Sequence, residues 1–426
     1  MNRTSTELKE SSSRISGLKV AQSVVLCLIL LAGGFAGGIL AERKLNGKGN
    51  DSNFADLEAV YGVIEDVYYY LPEDETERAQ LNNNMESGAI DGALSSLGDQ
   101  YTRYLDIDES DTAEEGLEGK YGGVGIEVML DHEVAFVSAV VPESPADDAG
   151  VNRGDVIEQI DGARVQATDA NEVLRMLRGE VGSSISLTLV RPTTGEVIDL
   201  DLTLEEIVIP SVTLEFIEGT DYAWLRITIF GDNTIPDLDA AIAEIRARGS
   251  KGVILDLRGN TGGWVNVARQ TLGRFIDPSA GPAMYEDTSG DSEMTAMPIE
   301  NGEGIVPLDL PMVVLIDGGT ASAAEIVAGC LRDYQRATLV GEKTYGKGSV
   351  QRIYEFSDGS TLRVTVAEWF TPSKSRIQSE GILPDLEIST ADQASEQDPV
   401  LQAGVQVLDS QVAAPNSTPV ATPATN

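Results

Sequence analysis

Two blocks, "GVILDLRGNTGG" at 252–263 and "PMVVLIDGGTASAAEIVAGCL" at 311–331, restrict the folds open to this chain more than any other feature. Each begins with side chains that are apolar on both faces and stops at a glycine-rich turn. A strand of that kind must be covered on both sides, as in a parallel sheet sandwiched between helices. The segment before the first block, "TIPDLDAAIAEIRARG", reads as a helix. Thr234 can cap it, Pro236 suits its first turn, Leu238, Ala241, Ile242 and Ile245 form an apolar stripe, and Gly249 stops it. From about 205 to 390, strands alternate with helices, which defines an α/β region.

The second block carries a chemical suggestion. Ser322 falls at the first turn of the helix that follows a buried strand. Free N–H groups and the positive helix end favour negative charge there, although serine is also a common cap. A nucleophilic serine needs a proton acceptor. The chain's one histidine, His132, lies far upstream and reads as an exposed loop residue. "GEKTYGKGSVQ" (341–351) offers Lys347 instead, in a glycine-flanked loop. A lysine ordinarily titrates at about 10.4, but burial can turn it into a neutral amine able to accept and return a proton. Gln351, four positions on, can orient that amine through its side-chain carbonyl without adding negative charge. "NTGG" resembles the serine loop of trypsin-like proteases, but Thr261 holds the nucleophile slot and no second histidine exists, so that class is rejected.

Between about 119 and 207 the pattern is glycine-punctuated and rich in β alternation. "YGGVGIEV" (121–128), "SPADDAGVNRGDVIEQIDG" (144–162) and "DANEVLRMLRG" (169–179) closely resemble a PDZ domain. The resemblance implies that Gly122, Gly123, Val124, Gly125 and Ile126 form a carboxylate-binding loop. Glycines there let successive N–H groups converge on one anion, and a peptide would add as a strand beside 126–128.

Further blocks complete a second resemblance. "GTASAAEIVAG", "GEKTYGKGSVQ", "DLRGNTGG", "DGSTLRVTVAEWFTP", "GILPD" and, ahead of the PDZ-like part, "GALSSLGDQYTRYL" resemble the C-terminal processing peptidase family over about 54–388. That resemblance implies Ser322 as nucleophile, Lys347 as general base, Gln351 as its partner, and the N–H groups of Gly263 and Ala323 as the oxyanion hole. It also implies a crotonase-like α/β catalytic domain. Ala324 and Tyr345 depart from the common pattern without touching a proposed catalytic atom.

The remaining features set the frame. Acidic residues outnumber basic ones 69 to 30, giving a net charge of -39, so nucleic acid is an improbable partner. Cys27 and Cys330 form no disulfide framework, and no cluster has metal-ligand spacing, so no metal or cofactor is implied. Residues 20–41 are uncharged, and a bilayer core needs about 20 such residues, so one transmembrane helix or export signal is expected. Arg3, Lys9, Arg14 and Lys19 precede it and favour a cytoplasmic arm.

The expected order is a cytoplasmic arm (1–19), a membrane segment (20–41), a linker and helical region (42–118), a PDZ domain (119–207), a catalytic domain (208–392) and a disordered tail (393–426). The expected function is a membrane-anchored or exported serine endopeptidase, its catalytic part in the periplasm or at the cell exterior. It would cut exported proteins near flexible C-termini that the PDZ domain captures. A homo-oligomer is left open. The alternatives are a non-catalytic PDZ-based scaffold at the membrane and a latent protease held off until a peptide docks.

Overall fold

The computed structural model describes residues 55–131, 134–165, 170–288, 290, 293–302, 307–388 and 398–413. Residues 20–41, expected to enter a membrane or to serve as an export signal, lie outside the described residues, as do Cys27 and His132. Among those described, no helix is long and apolar enough to cross a membrane.

The chain forms two compact units that divide after Glu86. The first contains the helix Ala55–Val67, within the expected helical region, with Leu57 and Val60 exposed. The helix Glu75–Ser95 begins in the same unit.

The second unit holds the alternating region. Its six-stranded sheet runs in the order Val212–Phe216, Tyr222–Ile227, Gly252–Asp256, Met312–Ile316, Thr338–Gly341, Leu386–Glu387. The first pair is antiparallel and the others are parallel. Both strands singled out from the sequence are central and buried at every position. Alternate side chains point to opposite faces. Leu225, Val253, Leu255, Val314 and Ile316 pack with the helices Thr234–Arg248 and Ala323–Asp333. On the other face Ile254, Val313, Leu315 and Val340 pack with Val400, Ala403 and Leu408.

Those last three residues correct one expectation. Residues 399–413, assigned to a disordered tail, form the helix Pro399–Ala413, which covers the second face of the sheet. The Pro/Ala/Thr-rich composition that suggested disorder begins only near its end. Polar ties hold this helix. Tyr222 donates its hydroxyl proton to Asp409 at 2.7 Å, and Arg258 bridges Asp256 and Asp398 at 2.6 and 2.8 Å.

A second, antiparallel sheet joins Arg103–Leu105, Thr361–Phe370, Pro282–Asp287 and Met294–Pro298, with Ser349–Glu355 also paired to Thr361–Phe370. The PDZ-like segment builds its own six-stranded sheet around a separate core that includes Val137, Ile157, Val173 and Leu189. Lys120–Gly123 and Glu205–Val208 pair where the chain enters and leaves this module.

If the C-terminal helix completes the sandwich, Leu408→Ala should destabilise the protein by about 2–5 kcal/mol, as cavity-forming core substitutions do. Urea unfolding followed by circular dichroism measures this; an unchanged midpoint would separate the helix from the folded core.

Candidate active site

The strand Met312–Ile316 ends in a turn that is bonded to its neighbour. The Asp317 carboxylate accepts the N–H groups of Gly259 and Gly319 at 2.9 Å and of Thr320 at 3.0 Å. The Thr320 hydroxyl donates to the Leu257 carbonyl at 2.9 Å. Asn260 is fully buried; its side chain donates to the Ile227 carbonyl and accepts from Gly262, and its own carbonyl accepts the Ala321 N–H. The two glycine-rich loops noticed in the sequence are therefore one hydrogen-bonded assembly.

Ser322 emerges from this assembly with φ 54° and ψ -119°, a backbone region sparsely populated by residues with a side chain. Such a conformation costs about 1–3 kcal/mol and persists where its surroundings over-determine it. Here the Ser322 N–H donates to the buried Glu325 carboxylate at 2.8 Å. Gly262 comes so close that a Cβ on it would lie 2.8 Å from the Ser322 Cβ and 3.1 Å from the Ala323 nitrogen. At Gly263 (φ 131°) a Cβ would meet the Phe230 carbonyl oxygen at 2.3 Å. The N–H groups of Gly263 and Ala323 make no hydrogen bond within the described residues.

The Lys347 ammonium donates to Gln351 Oε1 at 3.1 Å, the partner expected from their spacing. Gln351 Nε2 in turn donates to the Tyr101 carbonyl. Burial pulls the Lys347 pKa below the ordinary lysine value, and the nearby Arg363 charge pulls it further; Asp99 and Glu325 act in the opposite direction. Ser322, Lys347, Gln351, Gly263 and Thr261 line one cavity of about 550 Å³. No hydrogen bond joins the Ser322 hydroxyl to the Lys347 amine in this structure. What the fold brings together is the pair of side chains facing one space.

Sequence reasoning missed Glu325. It is 0% exposed, and it accepts from Ser322 N–H, Gly346 N–H at 2.8 Å, Lys347 N–H at 2.9 Å and the Thr344 hydroxyl. One carboxylate thus ties the serine turn to the lysine loop. Burial pushes its pKa up while its four donors pull it down. The available signal was an acid three residues after Ser322 in a helix whose other residues through Leu331 are all apolar, which is also capping-box spacing. Tyr101 escaped for another reason: its link to Gln351 exists only because Arg103–Leu105 pairs with Thr361–Phe370, far away in the chain.

In the PDZ-like module, Val124, Gly125 and Ile126 line a narrow groove with Tyr121, Leu174, Leu177 and Arg178. The strand Ile126–Asp131 is an edge of its sheet. Gly122 and Gly123 sit instead in the ladder with Glu205–Val208, and a Cβ on Gly122 would strike the Gly179 carbonyl oxygen at 2.1 Å.

The family model for peptidase family S41 matches residues 221–388, and that for the PDZ domain matches 136–191. The carboxy-terminal processing protease CtpA of Bacillus subtilis is 34% identical over 345 residues, covering 81% of this chain and 71% of its own. A carboxy-terminal-processing protease of Bartonella bacilliformis is 34% identical over 331 residues, covering 77% and 73%. A solved putative S41 protease from Bacteroides fragilis has a TM-score of 0.50 at 21% identity, covering 74% of this chain and 87% of that one, and bears on the fold alone. The chain belongs to peptidase family S41: it is a serine-type carboxy-terminal processing protease with a PDZ domain. A purely scaffolding role gives way to this assignment.

Glu325→Ala should strand four donors and destabilise the protein by roughly 3 kcal/mol or more, since each buried group left unpaired costs about 1–3 kcal/mol. Urea unfolding checks the loss; wild-type stability in this variant would show that the carboxylate is not the tie described.

Proposed function

We propose that Ser322 and Lys347 carry the acyl transfer, with Gln351 orienting the amine and the Gly263 and Ala323 N–H groups binding the oxyanion. A substrate C-terminus docks along Ile126–Asp131, and the extended chain upstream of it enters the cavity at Ser322. Neutral Lys347 takes the Ser322 proton as Oγ attacks the carbonyl carbon. The tetrahedral intermediate collapses as the C–N bond breaks and Lys347 returns the proton to the leaving amine. Water, deprotonated by Lys347, then hydrolyses the acyl-enzyme and restores the Ser322 hydroxyl. Each oxyanion donor is worth about 3 kcal/mol in the transition state.

The observation that carries this reading is a half-buried lysine, held by a neutral glutamine, in one cavity with Gly263 and a serine on a strained turn. A carboxylate in place of Gln351 would favour the ammonium form and defeat the base. We also assign a crotonase-like topology to the catalytic domain and an anchor or export signal to residues 20–41, with action outside the cytoplasm on exported proteins. The support is the sequence match to the processing proteases and the uncharged run itself.

Ser322→Ala should lower cleavage of an unfolded reporter by about 10⁴-fold or more, as loss of a nucleophile does. Mass spectrometry of the products measures it, and undiminished cleavage would overturn the assignment.

The pH dependence has a definite sign. Protonated Lys347 cannot accept a proton, so kcat/KM should rise with pH through the lowered lysine pKa and level off below the ordinary lysine range. A profile flat down to pH 4 would remove Lys347 as the base. The same burial makes the charged amine costly in the folded state. Stability relative to Lys347→Met should therefore fall as pH drops from the unfolded lysine value to the lowered folded one, with the full penalty present below that.

A further inference from the structure

A second cavity, of about 960 Å³, runs beside the first. It shares Lys347, Gln351 and Arg363 with the Ser322 cavity, and Leu174 and Arg178 with the PDZ groove. If a substrate's end lies in that groove while its scissile bond lies at Ser322, the stretch between them passes here. Because the groove holds the C-terminus, that stretch belongs to the leaving peptide.

The wall of this passage holds an unusual pair. Arg103 and Arg363 are directly opposite each other where Arg103–Leu105 pairs with Thr361–Phe370. Like charges in that arrangement repel, and a folded chain ordinarily avoids or compensates them. Neither arginine has an ion-pair partner among the described residues, in a chain with 69 acidic side chains. The Arg363 Nε is buried with no hydrogen-bond acceptor.

Of the other charges on the same wall, Arg178, Asp106 and Glu109 are already engaged, while Arg175 also lines it. Arg178 pairs with Glu115 at 3.0 Å and stacks on Tyr121 at 4.3 Å. Asp106 and Glu109 cap the helix Ile107–Glu118 by bonding each other's N–H groups. Asp108 faces the cavity from the same helix start.

We propose that Arg103 and Arg363 form a carboxylate-binding subsite for the leaving peptide, so that the enzyme prefers a negative charge at one register between the cut and the captured terminus. The proposal rests on the assignment of Ser322 and Lys347 made above. A carboxylate here would accept N–H groups from the two guanidinium groups that line the cavity and relieve the repulsion between them. Arginine suits this task because its planar fork pairs with both carboxylate oxygens. The carboxylate has two sources, an Asp or Glu side chain in a long tail, or the terminal carboxylate of a short one.

The test uses the full chain and a reporter with an apolar C-terminus, with Glu or Gln placed at each of its last positions in turn. At one register kcat/KM for the Glu peptide should exceed that for Gln by about tenfold, the size of a charge-assisted hydrogen bond. That ratio should collapse toward one in Arg363→Gln and persist in Arg363→Lys. Arg103→Glu should shift the preference at that register toward Lys. Because ratios within one variant are compared, an overall rate change caused by Arg363 beside Lys347 cancels. Thermal melting confirms that each variant is folded.

A second arm compares free-acid and amidated tails of decreasing length. A preference for the free acid confined to one short length assigns the subsite to the terminal carboxylate. Equal rates for Glu and Gln at every register, together with no acid preference at any length, overturn the proposal, as does a preference that survives Arg363→Gln. Ser322→Ala runs beside every peptide. If it cleaves normally the catalytic assignment fails, whereas cleavage lost in it with no charge preference in the wild type sinks the subsite alone.

Discussion

The Glu325 carboxylate is the constraint on which the site depends. A serine on a turn and a lysine on a loop 25 positions later have no local reason to meet. Their backbones converge because one buried acid accepts N–H groups from both, together with the Thr344 hydroxyl. In a low-dielectric interior such a bond set is stiff, because leaving any member unpaired costs the full desolvation penalty. The strained backbone at Ser322 is affordable only inside such a frame. Asn260 and Asp317 extend the frame to the loop that presents Gly263.

The lysine proposed as the base needs the opposite environment. Its amine must be dry, and its partner must not be an anion. Gln351 meets that need, but it in turn needs an acceptor for its own amide protons, and the Tyr101 carbonyl supplies one. The segment before the PDZ module is therefore part of the proposed catalytic apparatus, since the pairing of Arg103–Leu105 with Thr361–Phe370 brings the adjoining Tyr101 to Gln351. This explains why "GALSSLGDQYTRYL" precedes the module in sequence while serving the domain that follows it.

Much of this was legible from residues alone. The double-sided apolar runs gave the central strands, and the stripe at Leu238, Ala241, Ile242 and Ile245 gave the helix, because both patterns report burial directly. Ser322, Lys347 and Gln351 were singled out because chemistry limits what can accompany a serine in a chain with one histidine, and the fold brings the three to one cavity. Glu325 was missed because its role is to join two loops, and no local pattern encodes a partner across a fold. The helix Pro399–Ala413 was missed because its Val, Ala and Leu lie beside a Pro- and Thr-rich stretch that dominates the composition. Of the five glycine-loop positions, Val124, Gly125 and Ile126 reach the groove, while Gly122 and Gly123 serve a ladder at the module's base.

That last helix bears on a hazard peculiar to an enzyme of this kind. A protease that cuts extended chain meets such chain in its own sister molecules as well as in its substrates. Attack requires several residues drawn out as a strand. Residues 399–413 are wound into a helix, sealed against the sheet by Leu408 and moored by Asp409 to Tyr222. To offer that stretch to a sister molecule, the enzyme would have to uncover the core of its own catalytic domain, so folding itself guards against self-digestion there.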